Sequence, residues 1–115
     1  MIAGFSQGGA LALHTSLRSK HKLGGCIALS TWLPLRDDYP TAFSEYATSM
    51  PLLQIHGDRD NVVAYQWGEM SYNLLKTYIT NASIAPKFVT IKGMGHSSDH
   101  EEINIVKEFL KLIFQ

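Results

Sequence analysis

With 115 residues, 45% of them hydrophobic and 17% charged, the chain has room for one globular domain and is too apolar for disorder. Ten basic and ten acidic residues cancel, leaving no net field to hold nucleic acid or an anionic membrane surface. No run approaches the roughly 18 uninterrupted apolar residues of a spanning helix, so no transmembrane segment is expected. Cys26 is the single cysteine, which rules out an internal disulfide and fits a reducing compartment.

The chain opens on Met1-Ile2-Ala3, a strand remnant, and runs straight into Gly4-Phe5-Ser6-Gln7-Gly8-Gly9. This G-x-S-x-G pattern is a nucleophile elbow, a serine on a sharp turn between strand and helix. Glycine at positions 4 and 8 meets the elbow's need for small flanking residues. Such an elbow normally follows several strands, so the front half of the domain is expected to be missing here. From Gly8 to Lys22 the sequence reads as a helix with Ala10, Leu11, Leu13 and Leu17 near one face, Lys20 and Lys22 near its end, and Gly24-Gly25 as its stop.

Gly25 to Ser30 is a short apolar run, hence a buried parallel strand, in which Cys26 is a small core residue. A polar loop broken by Pro34 and Pro40 fills 31 to 50. Pro51-Leu52-Leu53-Gln54-Ile55 is a strand with proline at its tolerated first position. It ends in the turn-forming stretch His56-Gly57-Asp58-Arg59-Asp60. Between Ala64 and Ile79, the spacing of Trp67, Met70, Leu74 and Tyr78 predicts an amphipathic helix. Phe88 to Ile91 alternates and is rich in β-formers, a further strand. The loop Gly93-Met94-Gly95-His96 follows, and a last helix starts near Asp99 with Ile103, Val106, Leu110 and Ile113 as its stripe. The alternation implies a parallel α/β sheet with flanking helices, one edge of which is left open.

Three polar groups stand out against this frame. Ser6, the Asp58/Asp60 pair and His96 each fall just past a predicted strand C-terminus, the edge at which open parallel sheets place their sites. A serine hydroxyl needs a base to become nucleophilic, and the histidine base needs a carboxylate to fix its tautomer. The chain order serine, acid, histidine is that of the α/β-hydrolases. Spacing alone leaves the acid open between Asp58 and Asp60, one of which would brace the turn. His56 reads as a strand-end hydrogen bonder, and His14 and His21 as surface or satisfied polar groups. His96 and His100 have the i, i+4 spacing of a zinc pair, but His96 lies in a loop with no third ligand adjacent, so no metal is expected.

The blocks Gly4-Phe5-Ser6-Gln7-Gly8-Gly9-Ala10-Leu11, Ala28-Leu29-Ser30-Thr31-Trp32-Leu33-Pro34-Leu35, His56-Gly57-Asp58-Arg59-Asp60 and Gly93-Met94-Gly95-His96-Ser97-Ser98 together resemble the acyl-protein thioesterases, the lysophospholipase and carboxylesterase branch of the α/β-hydrolases. The resemblance covers essentially the whole chain and implies the C-terminal half of that fold. It places the nucleophile on Ser6, the acid on Asp60 and the base on His96, with the Gln7 backbone N–H as an oxyanion donor and a second donor from a loop upstream of the elbow. It also implies that Trp32, Leu33 and Leu35 line an acyl channel, although ordinary packing of their loop accounts for them as well. The implied substrates are S-acylated proteins, lysophospholipids and simple esters. The implied enzyme is cytoplasmic, needs no cofactor, and has a weak homodimer as a further option. Asn61-Val62 departs from the proline common after the acid in relatives. Two other readings remain: a different small α/β-hydrolase, such as a dienelactone-type enzyme, and an inactive fragment or interaction module.

Overall fold

The computed structural model describes residues 1–114. Its elements in chain order are β1 (Ile2–Phe5), α1 (Gln7–Arg18), β2 (Cys26–Leu29), β3 (Leu52–Gly57), α2 (Tyr65–Tyr78), β4 (Lys87–Ile91) and α3 (His100–Ile113), with two short 3₁₀ turns in the loop between β2 and β3. The four strands form one sheet in the order β1-β2-β3-β4. Every pairing is parallel, as the α/β alternation requires. β1 lies at one edge, and among the described residues no strand pairs with its outer side.

Side chains alternate across the strands and so feed two separate cores. Cys26, Ala28 and Leu52 join Leu13 and Leu17 of α1 and Leu75 of α2 on one face. Ile27, Leu53, Ile55 and Ile91 join Phe109 of α3 on the other. Burial pushes the Cys26 thiol up to about 11, against a small opposing pull from the Ser16 hydroxyl, so it is an inert core group as expected.

Helix bounds and faces differ from the periodicity reading in specific ways. α1 stops at Arg18, four residues before Lys22, because Ser19 turns to extended backbone and its hydroxyl caps the His21 amide. Leu11 is 64% exposed: one residue on from buried Ala10 is about 100° around a helix, which aims it off the sheet. In α2 the predicted stripe residues Trp67 and Met70 are exposed, and Gly68, Ser71 and Leu75 are the buried face. Small residues win there because β3 sends two long polar side chains, Gln54 and His56, up against the helix. In α3, Ile103 is likewise exposed, while Glu102 and Phe109 are buried. Asp99 caps α3 by accepting the Glu102 amide at 2.9 Å, which fixes the helix start where the sequence reading put it.

Candidate active site

Ser6 has φ 56° and ψ −122°, a region that a non-glycine residue occupies only where its surroundings hold it. Here the hold is visible. The Ser6 amide donates to Leu29 O at 2.8 Å, and the Ser6 carbonyl accepts the Thr31 hydroxyl at 2.6 Å and the Ala10 amide at 3.0 Å. Strand and helix close on each other at Gly4 and Gly9. A Cβ on Gly4 would run into the Gly8 carbonyl, and one on Gly9 would lie 2.8 Å from Thr31 Cβ. Gly8 would meet nothing within 4 Å. The steric demand read from the sequence at Gly4 and Gly8 therefore falls on Gly4 and Gly9. Gln7 opens α1, where first-turn N–H groups have no intrahelical partner and the helix dipole favours negative charge.

The acid and the histidine meet because two loops are stitched together. Arg59 N–H donates to Met94 O at 3.1 Å, Asp58 N–H to Ile91 O at 3.3 Å, and Gly93 N–H to Asp58 Oδ1 at 2.7 Å. Gly57 must be glycine, since a Cβ there would strike the Met94 carbonyl. Asp58 thus braces the neighbouring loop. Asp60 does two jobs at once. Its Oδ1 accepts the Val62 and Val63 amides at 2.9 and 2.8 Å, and its Oδ2 lies 2.8 Å from His96 Nδ1. The Asp60 side chain is fully buried and the His96 side chain 16% exposed. Burial alone would push the Asp60 carboxyl up, but the His96 ring N–H and the two amides outweigh it and hold the group below its ordinary value.

An ionised carboxylate only accepts, so His96 Nδ1 carries a proton, and in the neutral ring Nε2 is the nitrogen that can take one up. Its ring sits 4.9 Å, centroid to centroid, from that of Phe5, the residue before the serine. Among the described residues no hydrogen bond joins the Ser6 hydroxyl to His96, a contact that is often long outside the reacting complex.

The remaining candidates separate. Trp32 and Gln7 share a groove of about 570 Å³ with Gly8, Leu11 and Pro34. Trp32 and Leu33 also border a cleft of about 310 Å³ with Trp67 and Met70. Leu33 is a buried core residue, and Leu35 stands 60% exposed at a left-handed backbone position. His21 and His100 are exposed, and His14 borders the Gln7 groove. His56 is the strand-end hydrogen bonder expected from the sequence, its Nε2 2.8 Å from the Val63 carbonyl; what the sequence did not show is that its fully buried ring lies 3.4 Å from Asp60 Oδ2. Its signal was position: it alternates with Leu52 and Gln54 and so had to face α2.

A family model for phospholipases and carboxylesterases matches residues 1–114. The chain belongs to the phospholipase/carboxylesterase family. It is 45% identical over 111 residues to acyl-protein thioesterase 1 homolog 1 of Dictyostelium discoideum, covering 96% of this chain and 46% of that protein. It is 42% identical over 112 residues to acyl-protein thioesterase 1 of Neurospora crassa, covering 96% and 44%. Among solved structures, Arabidopsis thaliana SOBER1 superposes with a TM-score of 0.88 at 31% identity, over 98% of this chain and 52% of that one. Zea mays acyl-protein thioesterase 2 gives 0.85 at 27%, over 98% and 55%. The chain therefore spans about half the length of the family members it matches, and its parallel sheet with flanking helices is an α/β-hydrolase architecture.

Proposed function

We propose that the chain carries the acyl-transfer machinery of a serine hydrolase acting on acyl thioesters and esters, with S-acylated proteins as the main substrates. The observation that carries the reading is the 2.8 Å contact of His96 Nδ1 with Asp60 Oδ2 at the rim where Ser6 is held at positive φ. In this reading His96 Nε2 takes the Ser6 proton and the Ser6 oxygen attacks the acyl carbonyl. The Gln7 N–H receives the developing oxyanion at the start of α1. The tetrahedral intermediate collapses, the thiol or alcohol leaves with the proton returned by His96, and an acyl-serine remains. Water, deprotonated by His96, then releases the fatty acid.

Ionised Asp60 stabilises the imidazolium in both halves. The groove of Gln7, Leu11, Trp32 and Pro34 starts at the elbow and is apolar enough to accept an acyl chain; of the three residues singled out for that role, Trp32 fits it best. Names of relatives support the thioester preference. Among the described residues no helix is long and apolar enough to cross a membrane, and a lone reduced cysteine suits action in the cytoplasm. Labelling with a fluorophosphonate probe tests the assignment. Wild type is expected to react at Ser6 and Ser6→Ala not at all; equal labelling of Ser6→Ala would remove the nucleophile from this reading.

A further inference from the structure

His56 is the penultimate residue of β3, with its side chain wholly inside the protein. Its Nε2 lies 2.8 Å from the Val63 carbonyl. A carbonyl oxygen only accepts, so Nε2 carries the ring proton and Nδ1 is a bare acceptor. The same Nε2 is 3.4 Å from Asp60 Oδ2, the oxygen that receives His96. Val63 completes a closed circuit, because its own amide donates to Asp60 Oδ1 at 2.8 Å. Asp60 is thus gripped on one oxygen by two backbone amides and flanked on the other by two histidine rings, from β3 and from the loop after β4.

The other side of the His56 ring is set by packing. Nδ1 is buried with no partner and faces the backbone of Gly68, where a Cβ would collide with Nδ1 and lie 3.0 Å from Cε1. Tyr65 stands edge-on to the ring at 5.8 Å, and Gln54 Nε2 donates to the Gly68 carbonyl at 2.8 Å, pinning α2 at that point. The ring has no room to turn or shift without moving either the helix or the carboxylate.

We propose that His56 is a positioning residue for the acid of the site, its Nε2–H holding the 58–63 loop and Asp60 Oδ2 in line with His96, with Gly68 as the seat that fixes the ring. This rests on the hydrolase reading above, but its test separates from it. His56→Gln keeps an N–H near the Nε2 position, whereas His56→Phe keeps the ring shape and loses the donor. Two readouts are taken: the rate of fluorophosphonate reaction at Ser6, and the downfield proton resonance of His96 Nδ1–H bonded to Asp60.

His56→Phe is expected to slow labelling by roughly 10- to 100-fold, the scale on which groups that orient metal-ligating histidines act, and to shift or broaden the His96 resonance. His56→Gln is expected to recover most of the rate and the resonance. Unchanged rate and resonance in a folded His56→Phe would overturn the proposal, since a loop brace with no role at Asp60 predicts that result. If wild type fails to label, the hydrolase reading falls for this chain, and the His96 resonance alone decides the His56 proposal. If His56→Phe does not fold, nitrogen–proton correlations of the wild-type ring decide it: the proton on Nε2 supports the proposal, the proton on Nδ1 overturns it.

Discussion

Asp60, in the loop after β3, and Glu102, in the first turn of α3, are both carboxylates withdrawn from solvent, yet their surroundings drive them opposite ways. Burial pushes both upward. At Asp60 the His96 ring and the Val63 and Val62 amides reverse that push, and the group ends below its ordinary value. At Glu102 burial prevails, the Ser98 hydroxyl opposing it and the Asp99 charge adding to it, and the group ends above. Among the described residues no hydrogen bond of ordinary geometry reaches either Glu102 oxygen, not even from the nearby Ser98 hydroxyl. Depth therefore does not by itself set the direction in which a buried carboxyl shifts. What separates the two is the supply of donors: a turn that aims two amides and a histidine at one, and nothing comparable at the other.

The sharpest way to break this contrast is Asp60→Asn. It keeps the shape and removes the charge that holds His96 in its Nδ1–H tautomer, so the labelling rate at Ser6 should fall by about 10⁴-fold, the scale seen for this change in triad enzymes. Its stability effect has a fixed sign. Asp60 sits below its unfolded value, so its contribution is complete above the unfolded carboxylate pKa of about 4 and is lost as pH falls through the lower folded one. Urea midpoints of wild type and Asp60→Asn should therefore converge as pH is lowered.

Gly68→Ala attacks the same arrangement from behind. Its Cβ would press on His56, and overpacking of this kind typically costs about 1–3 kcal/mol, read as a lower urea midpoint with slower labelling. Glu102→Gln gives the smallest expected effect and the opposite sign. A carboxyl raised on folding loses stability as pH climbs from its unfolded pKa through its folded one. The amide should thus be more stable than wild type by about 1 kcal/mol at neutral pH, the scale of one unmade buried hydrogen bond. The gap should close near pH 4 and below, about where the unfolded side chain also becomes neutral. A Glu102→Gln variant less stable at pH 7 would show that the carboxylate has a donor after all.

Helix faces were the least readable part of the chain. Leu11, Trp67, Met70 and Ile103 all have the spacing of a core stripe and all are exposed. Spacing reports which residues share a face; it does not report which face meets the sheet. At α2 that choice went to Gly68 and Ser71, because helix and strand can approach over Gln54 and His56 only where the helix is small. The elbow shows the same limit at finer scale, since nothing in G-F-S-Q-G-G says which of the last two glycines packs on Thr31. Asp58 and Asp60 were likewise equivalent by spacing. Only the stitched loops show that Asp58 reaches Gly93 while Asp60 reaches His96.

From the amino-acid order alone came the parallel α/β alternation, the serine turn, and the succession of serine, acid and histidine at strand ends. These depend on local propensity and on a two-residue or 3.6-residue period, quantities that a linear string carries. The tertiary structure alone decided which helix faces are buried and that His56 stands behind Asp60, and it supplies the contact by which Asp60, the acid that the family resemblance implies, reaches His96. Each of those depends on distances between residues far apart in the chain, and such distances exist only once the loops have closed on one another.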